Sequence, residues 1–179
     1  MSDYDILRKQ YKPNHIKILC IAESQPPAAG VASSRQFYRT DSLYHEDRLF
    51  TNTMRALYSD AADAVEADLK NNKEKWLRRF QKDGLYMTEA LTSSLAHEVT
   101  KRQRQELITA HLPTLLDRVH KLAEPDTKII LIKSNVFDVA AKPLRAAGYH
   151  VLNHEFLDYP GRFNQRAYRE KLAKIIAAN

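Results

Sequence analysis

Four short apolar runs, each too short to be a helix of its own, constrain this chain more than any other feature. They are IKILCIA (16–22), GLYMTEA (84–90), TKIILIK (127–133) and YHVLNHEF (149–156). Three of them are rich in consecutive Ile, Leu and Val, as strands buried on both faces must be. Between the runs the apolar spacing becomes helical. Phe50, Met54 and Leu57 follow Leu43; Val65 and Leu69, then Trp76, Leu77 and Phe80, form a broken pair that stops at Gly84. Thr100 with Gln103 has the form of a capping box ahead of a stripe from Leu107 to Leu122, which Pro113 kinks or restarts. Val136, Phe137, Ala140 and Leu144 follow the third run, and Tyr168, Leu172, Ile175 and Ile176 close the chain. Strand–helix alternation of this kind predicts an α/β domain with a parallel sheet, helices on both faces and right-handed crossovers. With 44% apolar residues and no linker or repeat, residues 1–179 read as one domain.

Composition removes several chemistries. The lone cysteine, Cys20, lies inside the first apolar run and reads as a core residue. Zinc ribbons and iron–sulfur clusters need several thiolates in defined spacing, so neither is expected, and no metal or other cofactor is. Four scattered glycines supply neither a P-loop nor a dinucleotide fingerprint. No apolar run nears the roughly 20 residues that span a bilayer, and MSDYDILRKQ lacks the build of a signal peptide, so a cytoplasmic protein away from the membrane is expected. A net charge of +6 suits a polyanionic partner.

In an open parallel sheet, ligands bind beyond the carboxyl ends of the strands, where strand order reverses. That rule selects the loops after each run. AESQPPAAGVASSRQFYRT (22–40) brings Glu23 and Ser24 straight off the first strand, stiffens the turn with two prolines, and then places Phe37 beside Tyr38. GLYMTEALTSS (84–94) ends the second strand at Glu89. Asn135 opens the helix after the third. NHEFLDYPGRFNQRAYREKL (153–172) starts at Asn153 and turns through Pro-Gly to Arg162 and a helix.

Taken in order, these segments resemble the uracil-DNA glycosylase superfamily, in particular its branches with a Glu-Ser-Pro-Pro type first motif. The resemblance implies a three-layer α/β/α fold with a four-stranded, mainly parallel sheet in the order 2-1-3-4. It sets AESQPP at the family's first motif, with Glu23 at or next to the water-activating position. It makes Phe37 the base-stacking aromatic with Tyr38 as its neighbour, puts Glu89 at the place of the base-reading asparagine, and matches FLDYPG (156–161) to the family's HPSP motif. Phe156 and Leu157 stand where the family carries its base-stabilising histidine.

Cleaving an N-glycosidic bond builds positive charge on the sugar and negative charge on the base. Glu23 suits the first; amides after Asn153, or Arg162, suit the second. The expected function is therefore a DNA glycosylase-like hydrolase acting on a flipped or free nucleobase, with DNA as partner. The alternative is a binding module of the same fold that has lost catalysis and recognises a base or a nucleic-acid end. Each residue also has a plain structural role open to it: Glu23 as a turn acid, Phe37 and Tyr38 as core anchors, Glu89 as an ion-pair partner, Asn135 as a helix cap.

Overall fold

A computed structural model of the chain describes residues 3–25, 36–40, 47–95 and 98–178. Its centre is a four-stranded, wholly parallel sheet in the order β2-β1-β3-β4, built from β1 (Ile18–Ser24), β2 (Leu85–Leu91), β3 (Lys128–Leu131) and β4 (His150–Val151). Helices flank it: α1 (Asp3–Gln10), α2 (Arg48–Leu57), α3 (Ser59–Ala62), α4 (Glu66–Asn71), α5 (Lys73–Lys82), α6 (Lys101–Ala110), α7 (Leu112–Leu122), α8 (Ser134–Ala146) and α9 (Gln165–Ala177). The expected three-layer α/β/α architecture and strand order are what the chain adopts.

The chain moves one way from β1 to β2 and the other way from β2 to β3 and β3 to β4. Right-handed crossovers then put α2–α5 on one face and α6–α8 on the other. The contacts agree, with α6 packed on α8 and α9 returning to pack on α2. Leu19, Cys20, Ile21, Met87, Ile129, Ile130 and Leu131 are all essentially inaccessible, the burial that continuous apolar strands require.

Local chemistry sets the boundaries. Asp47 caps α2 by accepting from the Phe50 amide. Thr100 and Gln103 close the capping box of α6 in both directions. Pro113 restarts rather than kinks the long stripe, because α6 ends at Ala110 and the proline sits in the first turn of α7, where its missing N–H costs nothing. Gly84 turns α5 into β2 at φ +82°; a Cβ there would meet Lys17 Cγ at 2.8 Å.

Two elements differ from expectation. The fourth strand is two residues long instead of spanning 149–156, because Asn153 takes over the ladder with its side chain, accepting from the Leu131 amide at 3.0 Å and donating to the Leu131 carbonyl at 3.1 Å. The N-terminal helix α1 was not foreseen. Its Tyr4 is buried, and its Arg8 reaches Thr88 and Glu89 of the edge strand β2. Among the described residues no helix is long and apolar enough to cross a membrane.

Candidate functional site

The reversal of strand order lies between β1 and β3, so the crevice beyond their carboxyl ends is where side chains from different segments converge. Glu23 occupies it, with only 6% of its surface exposed. Its Oε1 accepts from Asn135 Nδ2 at 2.7 Å. Its Oε2 accepts from Arg104 Nη1 of α6 at 2.9 Å and from Lys133 Nζ. Burial alone would raise the carboxyl; the Asn135 and Lys133 hydrogen bonds and the charges of Lys133 and Arg104 outweigh it and hold Glu23 below the ordinary glutamate range.

Lys133 is where β3 gives way to α8. It is the only non-glycine with positive φ among the described residues, at φ 83° and ψ 138°. Such a conformation costs a side-chain-bearing residue on the order of 1–3 kcal/mol. The surroundings over-determine it: the Lys133 amide donates to the Leu157 carbonyl at 2.6 Å while its ammonium is drawn to Glu23. One residue beyond Ser134, Asn135 is 3% exposed and sits in the first turn of α8. An ionised carboxylate only accepts, so the amide nitrogen of Asn135 must face Glu23. Its Oδ1 is thereby left buried with no hydrogen-bond partner.

Glu89, the second acid, is not part of this cluster. Register decides this: Ala22, not Glu23, is level with Glu89, and paired residues of adjacent strands project from the same face. Glu23 therefore faces the α6–α8 layer and Glu89 the opposite one. Glu89 is 3% exposed and accepts from the Tyr4 hydroxyl at 2.7 Å and from Arg8 at 2.8 Å. Burial raises its carboxyl above the ordinary range despite the nearby Arg8, Tyr4 and Arg118. The Arg118 guanidinium from α7 donates to its backbone carbonyl.

The two aromatics expected to stack a base are enclosed. Phe37 is 2% exposed, with ring centroids 5.0 Å from Tyr38, 5.8 Å from Phe50 and 5.4 Å from Phe80. Tyr38 is wholly buried; its hydroxyl takes the Met87 amide at 2.7 Å and donates to the Met87 carbonyl at 3.3 Å, closing the free edge of β2. The buried pair of Lys73 and Asp47, 2.6 Å apart, holds the segment down, because Lys73 also donates to the Gln36 carbonyl. Neither ring offers a face to a base here, and both serve as core anchors.

The remaining candidates scatter. Ser24 ends β1, half-buried and paired with Leu91. Asn153 is a sheet residue with 2% of its surface exposed. Arg162 is exposed ahead of α9, with its guanidinium 5.7 Å from the Phe163 ring. The two prolines expected to stiffen the turn after Glu23, Pro26 and Pro27, lie outside the described residues. The sequence reading named Glu23 and Asn135 separately as candidates, which the structure joins by a hydrogen bond, grouped Glu23 instead with Phe37 and Glu89, and missed Lys133 and Arg104 as its partners.

One group has metal-ligand composition among the described residues, at the opposite end of the sheet: His15 with Glu124 and Asp126. Both ring nitrogens are already engaged by carboxylates, at 3.0 Å each, and those hydrogen bonds raise the His15 pKa. No family model, curated protein or solved structure matches the chain.

Proposed function

We propose that this protein is a nucleic-acid or nucleotide recognition domain of the cytoplasm, engaging its ligand at the crevice between the ends of β1 and β3. One observation carries the reading: Glu23 of β1, Arg104 of α6 and the pair Lys133 and Asn135 at the start of α8, from three separate places in the chain, meet at the point where strand order reverses. Two cations against one carboxylate leave the cluster with a net positive charge. The unpartnered Asn135 carbonyl oxygen asks for a donor, such as the N–H of a base or a sugar hydroxyl. DNA is the polyanion we favour, given the protein's charge of +6.

Hydrolysis of an N-glycosidic bond is the second reading, and the ionised Glu23 at that crevice favours it. A carboxylate beside the sugar stabilises the positive charge that builds there. It ranks second because Lys133 and Arg104 both hold the same Glu23 oxygen and offset the field it would exert.

The test is fluorescence anisotropy with single- and double-stranded oligonucleotides carrying uracil, hypoxanthine or undamaged bases, repeated across salt concentrations, with released base measured in parallel. Affinity that falls steeply with salt supports a nucleic-acid ligand, since displaced counterions drive such binding. Salt-insensitive binding of free nucleotides narrows the reading to a nucleotide, and no binding of either ends it. Base release that Glu23→Gln abolishes while binding persists would promote the hydrolase.

A further inference from the structure

We propose that Lys133 and Arg104 form a phosphate-binding site which Glu23 fills while the site is empty, and that an arriving phosphate displaces Glu23 and frees its carboxylate. The inference rests on the nucleic-acid or nucleotide reading and names which ligand group enters first. A guanidinium from α6 and an ammonium from the β3–α8 junction converge on a single oxygen, Glu23 Oε2. Two cations aimed at one oxygen atom match a phosphate oxygen as well as a carboxylate oxygen.

The surroundings fit an exchange rather than a fixed structural pair. The side chains of Lys133 and Arg104 are 32% and 19% exposed, so solvent reaches both, whereas the Glu23 side chain is 6% exposed. The site lies at the N-terminal turn of α8, a thirteen-residue helix that no side chain caps. Beside it, the buried Asn135 Oδ1 has no donor. A nucleotide whose phosphate meets the cations would carry with it a hydroxyl or base N–H of the kind this oxygen lacks. Lys133 is also held at φ 83°, a backbone state that persists only when its surroundings enforce it. No covalent step is involved; one anion replaces another on the same two donors.

The consequence for chemistry is order. With both cations on its oxygen, Glu23 is a poor base and a weak electrostatic partner for a sugar. After the exchange it keeps the Asn135 hydrogen bond alone. A carboxylate released only by the phosphate of a bound ligand is active only in that ligand's presence.

Inorganic phosphate and a 5′-phosphorylated dinucleotide are the probes, titrated by calorimetry into the wild-type chain, Lys133→Gly and Arg104→Gln. Lys133→Gly removes the ammonium while suiting the positive φ, so the variant keeps its backbone, and Arg104→Gln is an independent second check. The expected result is at least tenfold weaker binding of both probes in each variant. In wild type, saturation with phosphate should also move the Glu23 side-chain carboxyl resonance and its titration midpoint upward. Equal affinity in all three proteins overturns the site. Weakened affinity with an unmoved Glu23 midpoint overturns the exchange. Anisotropy on the same proteins separates the two readings: oligonucleotide binding indifferent to both substitutions leaves the recognition domain standing and removes this inference. Binding of inorganic phosphate that both substitutions weaken, without any oligonucleotide or dinucleotide affinity, does the reverse.

Discussion

Replacing Arg8 by methionine should show that Glu89 belongs to the scaffold. Glu89 has a side chain only 4% exposed, and Arg8, at 2.8 Å and 12% exposed, is its cationic partner. Removing one member of a buried pair strands the other and costs about 3–5 kcal/mol. Tyr4 still donates to Glu89, which sets the expectation at the lower end, about 3 kcal/mol. For a domain of this size that is a fall in Tm of roughly 6–12 °C by thermal unfolding at pH 7. Arg8→Met with Glu89→Gln should recover at least half of the loss, because the glutamine still accepts from Tyr4 and no charge is left buried at position 89; the Asp5 carboxylate, which also pairs with Arg8, is partly exposed. The sign of the pH dependence is fixed as well. Burial already raises the Glu89 carboxyl in the folded state, so its ionisation weakens the fold as pH rises from the unfolded value toward the folded one. Loss of Arg8 widens that window, and the deficit of the single variant should shrink as pH falls below the unfolded glutamate value of about 4.3, where the carboxyl becomes neutral in both states. A single variant within about 0.5 kcal/mol of wild type, or a double variant no better than the single, would refute a structural Glu89.

Phe37→Ala should cost about 3–5 kcal/mol by urea unfolding, the range for emptying an aromatic site in a packed core; a change confined to ligand affinity would contradict its burial. Glu23→Gln should flatten the acid limb of stability. The Glu23 carboxyl is lowered by folding, so its contribution is full above the unfolded glutamate value and is lost as pH falls through the folded one; identical pH profiles for the two proteins would refute this. Gly84→Ala should destabilise by about 1–3 kcal/mol, since φ is +82° and the new methyl would sit 2.8 Å from Lys17 Cγ; an unchanged Tm would count against that turn. For His15, whose ring is held between Glu124 and Asp126, folding raises the pKa. Its contribution is present below the unfolded value and disappears as pH rises through the folded one, and His15→Gln should erase that alkaline step from the stability profile.

The sheet could be read from the sequence because its signal is local. Runs such as KIILI carry their burial in consecutive residues, and the order of runs and helical stripes limits the topology. What failed to be legible depends on partners far away in the chain. Glu23 is 81 residues from Arg104 and 110 from Lys133, and neither cation stands in a pattern that marks it for that carboxylate. Phe37 looks the same in sequence whether it stacks a ligand or anchors a core. The deciding element is the Lys73–Asp47 pair, which pins the Gln36 carbonyl and seats the ring against Phe50 and Phe80. Tyr4, Leu7, Arg8 and Tyr11 did carry a helical spacing that would have revealed α1 and hence a partner for Glu89.

The two acids show how little separates a site from a scaffold. Both end parallel strands that lie side by side, and nothing in AES or TEA tells which face each carboxylate will take. Side chains alternate with a period of two, so a shift of one residue in pairing would place Glu89 level with Glu23 and on its face. The observed register instead pairs Glu89 with Ala22 and gives it to Tyr4 and Arg8 of α1. The Glu89 position is thereby withdrawn from the crevice, and the place opposite Glu23 is left to the first turn of α8. Asn135 supplies the neutral amide there and Lys133 the charge, from a stretch of chain whose backbone at φ 83° is held by the Leu157 carbonyl and by Glu23 itself.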